Sequence, residues 1–170
     1  MEAGVTLELT LPLAFTPQAS FSPQQLAEWM RGNVSLLQAL ASLESSRERD
    51  GDSAGDPALA RLEAKVDLAL QLISELLRRE ARLPDPTAVS LSSSGLCWHG
   101  SAPLHATGVV ALYLAPRLPW PLMLPVEITE VAGERVHARL LHLDEDSQTW
   151  LDRTLFRHHR RSVQARGRTA

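Results

Sequence analysis

The side chains able to do chemistry are few, and their spacing does not suit catalysis. His137 and His142 lie five apart on one predicted strand, so they point to opposite faces and cannot readily share a metal ion. His99 and His105 flank a predicted loop, where imidazoles are ordinarily solvated. Cys97 lies next to Trp98 in a strand, which reads as a buried structural thiol and not as a nucleophile. There is no GxSxG, no HExxH, no glycine-rich phosphate loop followed by Lys and no CxxC pair. No catalytic residue and no metal ligand is therefore assigned, and a non-enzymatic protein is expected. The one charged cluster, Arg157-His158-His159-Arg160-Arg161, could bind phosphate or another acidic group through forked guanidinium donors. The commoner reading is a solvated helix C-terminus favoured by the helix dipole. No aromatic side chains interleave with it beyond Phe156, so nucleic acid is not an expected partner.

The elements that must position these residues begin with the run 58–82. Leu59, Leu62, Val66, Ala69, Ile73 and Leu76 alternate at spacings of three and four, a heptad seam that keeps one apolar stripe on a helix. Leu68, Leu70, Leu72 and Leu77 widen the stripe beyond what a two-stranded coil needs. That width favours a bundle of several helices, the alternative being an ordinary core helix of a monomer. An earlier helix starts at Ser22 as N-cap, with Pro23 in the first turn and Gln25 three residues after the cap. Its seam is Leu26, Trp29, Asn33, Leu36 and Leu40. Asn33 either sets register between helices or faces solvent at a frayed seam. The polar segment 44–57 joins the two helices into a hairpin, and Pro84 and Pro86 end it.

Strands flank this hairpin. Val5, Leu7, Leu9, Leu11 and Leu13 alternate with Thr6, Glu8, Thr10 and Pro12, as in a half-buried strand. Pro12 restricts its end to an edge or a bulge. After residue 87 the period is that of strands again: 89–91, 96–98, 108–114, 123–131 and 136–143, with a turn at 132–135. A last helix carries Trp150, Leu151, Leu155 and Phe156 on one side. Several short antiparallel strands at this spacing argue for a small barrel.

Composition bounds the setting. The 170 residues carry a formal net charge of −3, so no overall field draws the chain to nucleic acid or membrane. Charge is unevenly spread, since residues 153–170 contain six arginines and no acid. A single cysteine suits a reducing compartment. The first residues lack a basic, apolar leader pattern, and no window approaches the roughly 18 apolar residues of a membrane span. A cytoplasmic protein is expected.

The segment Ser90-Leu91-Ser92-Ser93-Ser94-Gly95-Leu96, between two strands, resembles the DxSxxG motif of PilZ domains. The strand series after it is similar to a PilZ barrel, and 155–161 resembles the aromatic-then-basic helix that closes such domains. The resemblance covers 87–163, with 5–14 as first strand. It implies a mainly β, α+β fold: a six-stranded antiparallel PilZ-type barrel with two long helices inserted after the first strand and a C-terminal helix. One domain over 1–170 would comprise the strand 5–14, an oligomerising hairpin 22–83, the rest of the barrel at 87–163 and a basic tail 164–170.

Many PilZ domains are receptors for cyclic di-GMP, using an RxxxR motif ahead of the first strand together with DxSxxG. This sequence departs from both motifs. Ser90 stands where the family has Asp, although Ser92 and Gly95 remain, and no arginine precedes the first strand. Arg78 and Arg82 have the RxxxR spacing, but only seven residues separate Arg82 from Ser90, too few for a strand. A rearranged site of Arg78, Arg82, Ser90, Ser92 and Gly95 is thus the alternative to a chain that holds no cyclic di-GMP. A degenerate site with heptad helices resembles the atypical PilZ proteins of xanthomonads, in which long helices assemble a tetramer. This implies a homo-oligomer, in which Leu59, Leu62, Val66, Ala69, Ile73 and Leu76 with Leu26, Trp29, Asn33, Leu36 and Leu40 carry assembly, acting through an unidentified protein partner.

Overall fold

A computed structural model describes residues 6–49, 83–115 and 120–167, with residues 61, 62, 64–66, 68, 69, 72, 73 and 75 between them. Six strands form a closed antiparallel barrel: β1 (Leu7–Pro17), β2 (Pro86–Leu91), β3 (Gly95–His99), β4 (Thr107–Leu112), β5 (Leu122–Ala132) and β6 (Arg135–Leu140). Around the barrel the order is β1-β2-β3-β6-β5-β4. The alternation read in the sequence turns Leu7, Leu11, Val89, Leu91, Leu96, Trp98 and Val136 inward. The described residues between 61 and 75 are helical. Helices also run over Pro23–Arg49 and Glu145–Gly167, after the first strand and at the end of the chain respectively.

Pro12 lies at neither a free edge nor a bulge, because closure leaves no edge. It stands where β1 changes partner, opposite Pro86 on β2 and just before Leu13 pairs with Leu112 on β4. Two residues without N–H groups face each other at the corner, and the Pro12 carbonyl accepts from Tyr113 N–H (3.1 Å). The β5–β6 hairpin turns at Gly133, whose φ of +61° a side chain would strain. β6 ends at Leu140, so His142 is not on a strand. It sits in the connection to the C-terminal helix at φ +54°.

The N-terminal helix begins as its cap predicts, with Gln25 N–H donating to Ser22 Oγ (3.1 Å). Gln25 does not reach back to Ser22, however; its side chain pairs with Gln18. Along this helix Met30, Asn33, Leu36 and Leu37 are buried, and Leu40 packs against the same core. They face this chain's own barrel and C-terminal helix, whose Leu151 and Leu155 share that core. Asn33 thus has neither role that its seam position suggested. Its amide forms a two-bond clamp on β5: Met123 N–H donates to Asn33 Oδ1 (2.8 Å), and Asn33 Nδ2 donates to Met123 O (2.7 Å).

The reason lies in the unequal lengths of β5 and β6. Leu141 N–H donates to Pro125 O (2.8 Å), so the carbonyl of Pro125 points toward the β6 side. Met123, two residues earlier, points the same way but lies beyond the last β6 pair, Val126↔Leu140. Asn33 supplies the donor and acceptor that a longer β6 would have given. Leu36 and Asn33 are buried within one chain, which takes them out of any seam between chains. Leu26 and Trp29 are half-buried, Trp29 against Phe21 (5.7 Å between centroids).

Replacing Asn33 with Leu keeps the volume and leaves the Met123 N–H and C=O without partners, at about 1–3 kcal/mol for each group. Denaturant unfolding at fixed protein concentration should show a loss of about 3 kcal/mol. A change below about 0.5 kcal/mol, the range of neutral surface substitutions, would mean the clamp contributes nothing.

Candidate functional site

Ser90, Ser92 and Gly95 come together in the β2–β3 hairpin, each in a structural role. Ser92 Oγ donates to Gly95 O (2.9 Å) and accepts from Gly95 N–H (3.1 Å), while Ser92 N–H donates to the same carbonyl (2.8 Å). The hydroxyl is thus held within the turn. A Cβ on Gly95 would lie 2.5 Å from Ala138 O on β6, so only glycine fits this approach of backbone to backbone. Ser90 alternates with buried Val89 and Leu91 and so lies on the outer wall, paired with Glu8 on one side and Cys97 on the other. Arg78 and Arg82 lie outside the described residues, as do Leu59 and Leu76.

The strand registers extend Ser90 into a polar row across the outside of the barrel: Glu8, Ser90, Cys97, His137 and Glu130. Cys97 is half-buried in this wall and not in the core, with its Sγ 3.6 Å from His137 Nε2. Burial pushes the Cys97 thiol above its ordinary pKa; Arg135 opposes this, and Glu8 and Glu130 add to it. A thiol held protonated is a poor nucleophile and a poor metal ligand. Among the described residues no group of three or more His, Cys, Asp or Glu side chains is placed to hold a metal ion.

Two surfaces differ from the sequence expectation or sharpen it. Of the apolar stripe on the C-terminal helix, Leu151 and Leu155 are buried but Phe156 is 56% exposed. On the middle helix Leu62, Val66, Leu68, Leu72 and Ile73 are all exposed on the single chain, Leu72 by 62% and Ile73 by 54%. Ala69, in the same seam, is exposed as well. These residues are not the core of a monomer.

The family described as atypical PilZ domain, cyclic di-GMP receptor, matches residues 37–168. The chain belongs to the atypical PilZ family. Among solved structures, the barrel and helices match a tetrameric PilZ-domain protein from Xanthomonas campestris, described as a pathogenic protein self-assembled via an unusual helical bundle. The two are 28% identical over 96% of this chain and 93% of that one, with a TM-score of 0.78. No match was found among curated proteins. In this PilZ chain, the 90–95 hairpin closes its turn through Ser92 and Gly95 and carries a hydroxyl at Ser90.

Because the Cys97 thiol is pushed up, it should react with iodoacetamide more slowly than a free cysteine at neutral pH, when followed by mass spectrometry. Glu8→Gln with Glu130→Gln should speed the reaction. The folded state also keeps this proton to higher pH than the unfolded chain, so its contribution to stability is full below the ordinary thiol range and falls as pH rises above it. Alkylation as fast as that of free cysteine would contradict this account of the wall.

Proposed function

We propose that this protein is a cytoplasmic, non-enzymatic PilZ adaptor that self-assembles through its middle helix and acts through protein partners in cyclic di-GMP-linked regulation. The observation that carries the reading is the exposed apolar stripe of Leu62, Val66, Leu68, Leu72 and Ile73. Soluble monomers rarely leave a contiguous stripe of this kind in water, and burial is worth about 25 cal/mol per Å² of apolar surface. The likeness to a PilZ protein that assembles into a tetramer by a helical bundle supports a second copy as the cover. Leu59 and Leu76 extend the same heptad and belong to the proposed interface.

Assembly gives a weak adaptor a physical advantage. Several barrels tied together offer a partner several weak contacts at high effective concentration. The N-terminal helix transmits the arrangement, since its first half is bound to the barrel through Asn33 while the chain leads on into the assembling segment. A second reading, a cyclic di-GMP receptor with a rearranged site at Arg78, Arg82, Ser90, Ser92 and Gly95, has the family's description in its favour. Against it stand the hydroxyl at position 90 and the engagement of Ser92 within its own turn.

Ile73→Asp places a charge in the middle of the stripe and should convert the oligomer to monomers by light scattering, with the circular dichroism of the barrel retained. An unchanged mass would remove the stripe from assembly.

A further inference from the structure

The C-terminal helix carries a second surface, apart in the fold from the apolar stripe of the middle helix. Asp152, Arg153, Phe156 and Arg160 line an open groove of about 630 Å³, with Leu155 beneath and Ser93 of the β2–β3 turn as the opposite lip. Arg153, Phe156 and Arg160 stand at i, i+3 and i+7, hence on one helical face. We propose that this groove docks an acidic, amphipathic segment of a partner protein, with an apolar side chain on Phe156 and carboxylates on Arg153 and Arg160. The proposal deepens the adaptor reading and rests on it.

The groove is built, with its main parts held in place. Gln148 Nε2 donates both to Ser93 O (3.1 Å) and to Asp152 Oδ1 (3.2 Å), tying the lip to the helix. The Arg153 guanidinium lies 5.2 Å from the centre of the Trp150 ring, which orders it before any partner arrives. Phe156 remains largely in water although Leu155 beside it is buried. An exposed aromatic between guanidiniums is the composition of interface hot spots, where aromatic residues and Arg are enriched and Lys is depleted.

Shape and charge then choose the occupant. Small-molecule pockets enclose most of their ligand, whereas this groove is open to solvent and suits a segment of chain. Residues 153–170 hold six arginines and no acidic residue while the whole protein carries −3, so positive charge is concentrated at this end, with Asp152 the acid in the groove. A long polyanion would meet the repulsion of the remaining acidic surface, while a short acidic segment would not. Carboxylates match the forked donors of Arg153 and Arg160 in geometry as well as sign.

The test is fluorescence anisotropy with the full-length protein and a labelled peptide alternating pairs of Glu and Leu. The expected result is saturable binding, weakened at least about tenfold by Phe156→Ala and by Arg153→Glu with Arg160→Glu, and unaffected by Arg135→Glu on the barrel. No binding, equal binding of the same peptide with Lys for Glu, or unchanged affinity in both groove variants would overturn the proposal. Displacement by a poly-dT oligonucleotide or by cyclic di-GMP at lower concentration than by unlabelled peptide would also overturn it. Light scattering on the same samples separates this outcome from a failure of assembly: the groove variants should keep the parent mass.

Discussion

The amide of Asn33 closes a gap that barrel geometry leaves open. β5 runs beyond the end of β6, and an uncovered length of strand carries an N–H and a C=O that must find partners once the surface is buried. Asn is the side chain that offers one donor and one acceptor side by side, as a peptide group does, and here it stands in for a neighbouring strand at Met123. Leu36, Leu37 and Met30 then fill the space around it, and Ser147 Oγ of the C-terminal helix donates to Met30 O (3.4 Å). Helix, barrel and C-terminal helix are joined at one polar point inside an apolar contact. An apolar side chain at position 33 would pack there but would leave the strand unpaired.

This joint gives the molecule its division of labour. The part of the N-terminal helix up to Leu40 belongs to the barrel's core, whereas the apolar positions described on the middle helix face outward. One heptad pattern therefore has two settings: packed inside the chain in the first helix, and exposed on the single chain in the second. The hairpin of Ser92 and Gly95 is likewise structural: a hydroxyl bound in its own turn and a glycine pressed on Ala138 keep β2, β3 and β6 together. Position 90 carries a hydroxyl where the motif has a carboxylate able to accept two N–H groups, and the neighbouring acid in the wall is Glu8 on β1.

Much of this architecture was legible in the sequence. Strand periodicity marked the barrel and Ser22 announced the start of the first helix; at the last helix, Ser147 N–H donates to Asp144 Oδ1 (2.8 Å). The heptads were legible too, but not what they face. Spacing reports that one side of a helix is apolar, and it cannot distinguish a barrel wall from another helix. Asn33 was misread for that reason, since its partner is a backbone group 90 residues away and no local pattern encodes it. Cys97 was placed in the core because its neighbours are apolar, whereas strand register puts it on the wall beside His137. Sequence places Phe156 on one side with Trp150, Leu151 and Leu155, but the helix turns it outward, where only surface exposure reveals it. No signal in one sequence would have brought Ser93 and Gln148 together across the groove.

The most direct measurement of the central claim, that this barrel acts through assembly and protein contacts, is a calorimetric titration with cyclic di-GMP. It should be made on protein whose oligomeric mass has been fixed by light scattering in the same buffer. The account predicts no saturable heat from a folded, assembled sample, because Ser90 and the locked Ser92 leave the family's hairpin without the groups that grip a guanine base. Saturable heat from that sample, lost when Arg78 and Arg82 are both replaced by Ala, would contradict it and place the protein among the receptors.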